Sequence, residues 1–290
     1  MHVIENDFIK LTLNSTGAEK MSVIGKKSGT EFLWNGDPAY WSGRAPVLFP
    51  IVGRLVNGLC RINGNEYRMD CHGFAKDSEF NAVKKREDNI IFELVSDKAT
   101  KTQYPYDFIF DIAYALNSSE ISVTYEIKNS GANDMAFAVG AHPGFCCPFG
   151  PDEDFNDYYL EFNKKETAET LFVRLDFYFG HETVPFLNDE NIINLDHNLF
   201  KNDALVFKNL KSKTVCLKSR KNEKYVKMDF DGFAYLGVWT RVGAPYVCIE
   251  PWTSLGDYYD FKGELREKPG MVTLKPNGSY SVCHKIYIYD

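Results

Sequence analysis

The stretch Val139-Gly140-Ala141-His142-Pro143-Gly144-Phe145 closes a short apolar run with a histidine, followed by two residue types that interrupt strands. Counting by twos along an extended chain, His142 shares a face with Ala138 and Gly140, whose small size leaves room beside the imidazole. Proline has no N–H for a ladder and glycine tolerates positive φ, so we expect the strand to end here and the backbone to turn. Two interpretations remain open: an acid/base group at the mouth of a cleft, or a buried histidine bonded to a backbone carbonyl.

Alternation of apolar and polar residues with a period of two recurs along most of the chain and predicts strands. Clear examples, separated by turn sequences rich in Gly, Asn and Ser, are 90–94, 108–116, 119–128 and 280–288. Only the segment 97–104 has the pattern of a short helix. The sequence therefore predicts an all-β fold, a large antiparallel β-sandwich with few short helices. No linker, charge block or internal repeat divides the chain, so residues 1–290 are expected to form a single domain.

Composition restricts the function classes. The 290 residues are 44% hydrophobic and 15% aromatic, with a formal net charge of −7, which argues against a nucleic-acid surface or a polybasic membrane patch. No run approaches the roughly 18 apolar residues of a membrane span, and no secretory leader opens the sequence. Seven cysteines, an odd number without a C-x-x-C pair, favour reduced thiols in a cytoplasmic protein. The oligomeric state is not specified by any of these features.

A second histidine and an arginine have similar settings. His72 lies in Asp70-Cys71-His72-Gly73-Phe74, a histidine followed by glycine and an aromatic residue, as in the stretch around His142. Arg54 closes the apolar run 48–54 and presents five fixed donors suited to a hydroxyl-rich or anionic ligand. The alternative for Arg54 is an ordinary exposed arginine that follows a core strand. His284, on the apolar face of the last predicted strand, is expected to be a core histidine with a backbone partner.

Glu250 is the carboxylate with the most informative setting. It lies between Ile249 and Pro251-Trp252, so we expect partial desolvation, which raises the pKa of a carboxyl and makes it a better base near neutral pH. A salt bridge or a backbone cap is the alternative interpretation. Asp203 opens the apolar segment 203–207, but an aspartate before a strand is also ordinary turn chemistry.

Several common motifs are absent from the sequence. It contains no G-x-G-x-x-G, no P-loop, no G-x-S-x-G elbow and no H-E-x-x-H. These absences argue against nucleotide cofactors and serine-hydrolase chemistry.

Taken together, the Gly53-Arg54, His72-Gly73-Phe74, 142–145 and 250–252 signatures resemble the aldose 1-epimerase (galactose mutarotase-like) family. The resemblance implies a galactose mutarotase-like supersandwich with a carbohydrate cleft, and an isomerase that interconverts the anomers of a hexose or hexose phosphate. It further implies that the chain belongs to a compact branch of the family, which includes hexose-6-phosphate 1-epimerases. No cofactor or metal is expected, since the reaction has no redox step.

The same resemblance assigns roles to individual residues. His142 would be the general acid and Glu250 the general base, while Arg54, His72 and Asp203 would hold sugar hydroxyls. The imidazole and the carboxyl are expected to meet across one pocket at about one pyranose width. Aromatic residues that could stack on a pyranose are Phe145, Trp239 and Trp252, and basic residues that could bind a 6-phosphate are Arg44, Arg61 and Arg241.

Three other functions compete with this one. His72, His142 and Glu250 could form a two-histidine, one-carboxylate metal site. The cleft could bind sugar without catalysis, although binding alone does not need an acid and a base. A glycosidase needs two carboxylates, and only Glu250 has a convincing setting.

Overall fold

The computed structural model describes residues 1–290 and consists mainly of antiparallel strands. The strands are β1 (His2–Glu5), β2 (Ile9–Leu13), β3 (Lys20–Gly25), β4 (Val47–Leu48), β5 (Leu59–Ile62), β6 (Asn65–Arg68), β7 (Asn81–Lys85), β8 (Asn89–Val95), β9 (Phe108–Asn117), β10 (Glu120–Asn129), β11 (Met135–Phe137), β12 (Gly140–Ala141), β13 (Gly144–Cys146), β14 (Tyr158–Val173), β15 (Phe179–Asn194), β16 (Leu205–Lys208), β17 (Thr214–Ser219), β18 (Tyr225–Asp229), β19 (Tyr235–Trp239), β20 (Tyr246–Trp252), β21 (Val272–Leu274) and β22 (Ser279–Tyr289). The helices are α1 (Lys98–Lys101) and the 3₁₀ turns Val56–Gly58, Ala75–Asp77, Phe155–Asp157, His197–Phe200 and Leu265–Glu267. The all-β prediction is confirmed, and α1 falls within the segment predicted to be helical.

One fifteen-stranded sheet organises the molecule. Its order is β4-β12-β20-β19-β16-β14-β17-β18-β22-β10-β9-β8-β7, with β13 paired to β20 and β15 paired to β14. Three small sheets complete the fold, formed by β1-β2-β3, β5-β6 and β11-β21. The long alternating segments predicted from sequence are β8, β9, β10 and β22, which are neighbours in the large sheet.

The sandwich forms because the two ends of the large sheet face each other across the core. Phe49, which follows β4, packs against Phe110 on β9 with ring centroids 4.7 Å apart. The three N-terminal strands cover the β8–β10 region, where the Tyr114 hydroxyl donates a hydrogen bond to the Ala18 carbonyl oxygen over 2.8 Å. Together these layers enclose a contiguous cluster of 64 buried apolar residues. Burial of apolar surface on this scale is the main stabilising contribution to such a fold.

The Pro143-Gly144 pair does not turn the chain away, contrary to the sequence-based expectation. The ladder is interrupted for two residues, but β12 before them and β13 after them pair with the same strand, β20. Proline lacks the N–H that an uninterrupted ladder would use, while its carbonyl oxygen still accepts a hydrogen bond from Ile249 N over 3.3 Å. Gly144 is closely packed: a Cβ there would lie 3.2 Å from side-chain atoms of both Trp34 and Trp41, so these neighbours would have to shift slightly to admit it.

His284 lies in the core, as predicted, but the expected backbone partner is wrong. The residue is fully buried, and neither ring nitrogen has a hydrogen-bond partner. Burial and, secondarily, the nearby Lys20 charge lower its pKa well below the usual value.

None of the helices is long and apolar enough to cross a bilayer. All seven cysteines are unpaired.

Candidate active site

A cleft of about 740 Å³ opens on the face of β12, β20, β19 and β16 that points away from the main core. All five residues singled out from the sequence line it: Arg54, His72, His142, Asp203 and Glu250. They come from segments far apart in the chain, which the sheet order brings together. The tip of the β14–β15 hairpin and the loops around residues 41–46 and 70–77 form the walls.

His142 and Glu250 are cross-strand neighbours at the floor of the cleft. Gly140 pairs with Trp252 and Gly144 with Cys248, and this shared antiparallel register places position 142 opposite position 250. His142 Nε2 lies 3.2 Å from Glu250 Oε2. The expected separation of about one pyranose width is therefore wrong: the two groups touch, because adjacent paired strands carry them on the same face.

The acid/base pair is almost completely buried. Glu250 is 1% exposed and His142 is 8% exposed. Neither His142 Nδ1 nor Glu250 Oε2 has a hydrogen-bond partner, so the 3.2 Å contact lacks the alignment of a hydrogen bond. Both groups consequently retain free hydrogen-bonding capacity toward a molecule in the cleft.

Burial shifts the pKa values of the pair in opposite directions. It raises the pKa of Glu250 well above its usual range, as does the nearby charge of Asp203. It lowers the pKa of His142 well below its usual value, and the neighbouring His72 acts in the same direction. The direction expected for Glu250 is confirmed. These shifts favour a neutral carboxylic acid beside a neutral imidazole, a pair that holds one dissociable proton.

His72 is held by the glycine that precedes Arg54. Its Nδ1 accepts a hydrogen bond from Gly53 N over 3.1 Å, so in the neutral ring the proton is on Nε2, which is then a donor. Burial lowers the pKa of His72 to about 4, and the ring is therefore neutral near pH 7. The His72 and His142 rings meet edge to face with centroids 5.5 Å apart.

Arg54, which is exposed, and Asp203, which is half-buried, both line the cleft. The Arg54 guanidinium lies 5.2 Å from the centroid of the Phe177 ring, which the hairpin tip supplies. Asp203 has a left-handed backbone conformation with φ of 79°. Burial raises the pKa of its carboxyl, whereas the Ala204 N–H, the Arg54 charge and the Trp239 indole each act to lower it.

Aromatic rings surround the imidazole, including one that the sequence analysis missed. Trp41 packs over His142 with ring centroids 4.9 Å apart and an interplanar angle of 31°, and Trp239 lies edge-on at 5.6 Å. Trp41 lies in a loop that contains Gly and Pro, and no local sequence pattern predicts that it packs over the cleft. Trp239 and Trp252 line the cleft as expected, but Phe145 does not: it is fully buried in the main core.

Small residues beside His142 do not leave an empty space. A Cβ on Gly140 would lie 2.8 Å from Cδ1 of Trp252, so the room predicted from the sequence is taken by this indole. Gly237, on the next strand, accommodates the far edge of the same ring. Two glycines thus seat a tryptophan next to Glu250.

The three arginines considered for phosphate binding do not line the cleft. Arg44 donates to the Met21 carbonyl oxygen, Arg61 pairs with Glu66 and Arg241 donates to the Tyr40 carbonyl oxygen. The basic residue that does line it, besides Arg54, is Lys76, and its ammonium group is paired with Asp77. Only the folded structure identifies Lys76, since it lies in a surface 3₁₀ turn with no distinguishing sequence.

The metal triad considered from sequence is not the group that the fold assembles. Ligand atoms of His142, Cys248 and Glu250 lie within 4.8 Å of one another, and His72 is not part of this group. The Nδ1 of His72 is already used by Gly53.

The fold and cleft place this chain among galactose mutarotase-like β-sandwich proteins. It superposes on the galactose mutarotase related enzyme from Lactobacillus acidophilus with a TM-score of 0.94 and 31% identity, covering 100% of this chain and 97% of the other. A galactose mutarotase-like protein from Lactobacillus casei ATCC 334 gives a TM-score of 0.94 and 26% identity, with complete coverage of both chains.

Sequence comparison agrees with this class. The family model for aldose 1-epimerase matches residues 1–282. The plasmid-encoded protein LacX of Lactococcus lactis subsp. lactis is 31% identical over 296 residues, 99% of each chain. This chain belongs to the aldose 1-epimerase family, as the resemblance predicted. Membership supports a mutarotase-like isomerase function acting on a sugar.

Proposed function

We propose that this protein is an aldose 1-epimerase that interconverts the α and β anomers of a hexose by general acid/base catalysis. His142 is the general acid, Glu250 is the general base, and Arg54, His72 and Asp203 hold the sugar hydroxyls. The observation that carries the proposal is the 3.2 Å contact between His142 Nε2 and Glu250 Oε2 at the floor of the cleft. The whole chain acts as one catalytic domain.

The reaction suits a pair that holds one proton. The Glu250 carboxylate removes the proton from the C1 hydroxyl while the His142 imidazolium protonates the ring oxygen, and the bond between C1 and the ring oxygen breaks. Rotation about the C1–C2 bond presents the other face of the aldehyde. The ring then closes with the two roles reversed, which restores the starting protonation. Each transfer by a positioned group contributes roughly 10²–10⁴-fold.

The pKa shifts favour both transfers. A carboxylate whose pKa is raised has a greater affinity for the hydroxyl proton, and an imidazolium whose pKa is lowered gives up its proton more readily. The ion pair is therefore the reactive form of the two groups. It is reached from the neutral form by moving one proton across the His142–Glu250 contact, with no net gain or loss of protons.

The remaining groups hold the sugar while C1 rotates. The Nε2–H of His72 and the guanidinium of Arg54 donate to hydroxyl oxygens, and the Asp203 carboxylate accepts from a hydroxyl. Trp41, Trp239 and Trp252 offer flat apolar surface for the C–H face of a pyranose. Since ring opening and closure involve no redox step, this mechanism requires no cofactor or metal.

Charge in the cleft favours a free hexose over a hexose phosphate. Two basic residues line it, and one of them, Lys76, is paired with Asp77. The acidic residues that line it are five: Glu19, Asp70, Asp77, Asp203 and Glu250. A dianionic phosphate ester would meet more negative than positive side chains.

The test is an NMR exchange measurement of anomer interconversion over a panel of free and 6-phosphorylated hexoses. We expect enzyme-dependent acceleration with at least one free hexose and a smaller kcat/KM for its 6-phosphate. No acceleration with any sugar, in protein that binds one by calorimetry, would favour a non-catalytic sugar-binding protein instead. Metal analysis of protein purified without a histidine tag tests the metal-dependent alternative, which stoichiometric zinc or iron would support. An assay with aryl glycosides tests the glycosidase alternative, which hydrolysis of the glycoside would support.

A further inference from the structure

Asp257 and Lys268 form a buried ion pair behind the cleft wall that carries Arg54. The Lys268 ammonium donates a hydrogen bond to Asp257 Oδ1, and both side chains are only 2% exposed. They line a separate cavity of about 340 Å³. Burying two charges carries a desolvation cost that their mutual attraction does not always offset. The contacts of the pair with the rest of the chain therefore point to a role other than stability.

Asp257 holds the backbone that directly follows the Arg54 side chain. Its second carboxylate oxygen, Oδ2, accepts a hydrogen bond from Val56 N over 2.8 Å. Its backbone N–H donates to the Arg54 carbonyl oxygen, also over 2.8 Å. Arg54 is thereby attached to Asp257 at two successive points along its own segment.

The same residue also holds the hairpin that forms a wall of the cleft. The Asp257 carbonyl oxygen accepts a hydrogen bond from Phe179 N over 3.0 Å, and Phe179, the first residue of β15 after the hairpin tip, lines the cleft. That hairpin carries Phe177, the ring over which the Arg54 guanidinium lies. Both partners of this cation–π contact are therefore anchored to one residue.

The backbone segments of Arg54 and Asp257 are closely packed beside this anchor. Gly53 has φ of 73°, and a Cβ on it would lie 2.6 Å from the Gly256 Cα. The Arg54 and Asp257 segments consequently touch backbone to backbone. Lys268 completes the arrangement, since its bond to Oδ1 leaves Oδ2 directed at Val56.

We propose that Asp257, supported by Lys268, is a positioning residue for sugar binding that sets the place of the Arg54 guanidinium against Phe177. The inference rests on the proposed function, because it assumes that Arg54 holds the sugar. It implies that Asp257 acts through Arg54 and not through the His142–Glu250 pair.

The test compares Asp257→Ala, and the double variant Asp257→Ala with Lys268→Met, with the wild type and with Arg54→Ala. Both variants remove the acceptor for Val56 N. The double variant guards against misfolding, since it removes both buried charges and leaves neither unpaired. We expect the sugar KM, and the Kd from calorimetry, to rise about tenfold, which corresponds to the loss of one hydrogen bond between the Arg54 guanidinium and a sugar hydroxyl. We expect kcat to change less than about threefold. In an Arg54→Ala background, the Asp257 substitution should have almost no further effect on Kd.

Leu217→Ala, a core substitution in β17, is the matched control. It should lower Tm and leave the sugar Kd unchanged, since Leu217 does not line the cleft. If Asp257→Ala lowers Tm to the same extent and leaves Kd unchanged, or if its effect adds fully to that of Arg54→Ala, the positioning role is wrong. The Kd readout separates the two proposals: wild-type protein that binds a sugar but does not epimerise it defeats the proposed function alone.

Discussion

His142 and Glu250 face each other across paired strands, with Nε2 and Oε2 3.2 Å apart and without the alignment of a hydrogen bond. Their separation in the sheet is fixed by the backbone register of β12 and β13 on β20. An acid and a base held in this way need little reorganisation when a sugar enters, and preorganisation of this kind lowers the entropic cost of the proton transfers.

Substituting either member of the pair tests its role directly. His142→Asn and Glu250→Gln keep similar shapes but cannot move a proton, so each should lower kcat for epimerisation by roughly 10²–10⁴-fold. Polarimetry on freshly dissolved α-D-glucose or α-D-galactose measures the rate, and circular dichroism checks the fold. Wild-type activity in either variant would refute the assignment.

The pH dependence of kcat/KM follows from the two pKa shifts. Activity requires one proton on the pair. Because the pKa of His142 lies well below 6.5, a second proton is bound only at lower pH. Because the pKa of Glu250 is raised well above 4.5, the shared proton is retained at pH values where ordinary carboxyls have lost theirs. We therefore expect no loss of activity as the pH is lowered through 6.5, in rates measured from about pH 8 to about pH 5 after subtraction of the spontaneous reaction. An acidic limb centred near 6.5 would contradict this.

Arg54→Ala should affect binding more than chemistry. The side chain is exposed and its guanidinium lies against the Phe177 ring, so KM is expected to rise about tenfold or more, with a smaller change in kcat. Arg54→Lys is the informative control, since it keeps the charge and loses the planar set of donors. A fall in kcat with unchanged KM would place Arg54 in the chemical step instead.

His72 is expected to act as a neutral donor. His72→Phe keeps a ring but leaves Gly53 N–H without its acceptor and removes the Nε2–H, so KM should rise about tenfold. Since the pKa of His72 is about 4, its contribution should not change between pH 6 and pH 8. Unaltered kinetics in His72→Phe would show that the sugar does not use this nitrogen.

Stability should fall as the pH is lowered below 6.5. The pKa of His284 is far below its value in the unfolded chain, so the unfolded state binds more protons, and the free energy of unfolding decreases as pH falls. The expected slope is about 1 kcal/mol per pH unit for each such histidine. The free energy of unfolding, measured with urea, should therefore differ less between pH 7 and pH 5 in His284→Phe than in the wild type. Equal differences would contradict the role of this group.

The sequence by itself determined the strands and their faces. Alternation over 108–116 and 119–128 requires one buried face, and β9 and β10 form there as long antiparallel neighbours. The strand around Glu250 places Val247 and Ile249 in the core and Glu250 on the other face, as counting by twos predicts. Short motifs containing Arg54, His72, His142 and Glu250 were enough to identify the family.

Only the tertiary structure decided which of these faces meet and at what distance. Pairing between β12, β13 and β20 joins segments about a hundred residues apart, and no local pattern specifies that register, since the hydrogen bonds of a sheet are made between strands and not within them. That pairing brought His142 into contact with Glu250, filled the space at Gly140 with Trp252 and turned Phe145 into the core. The places of Trp41, Lys76 and Asp257 likewise depend on loops whose positions are set by what they pack against.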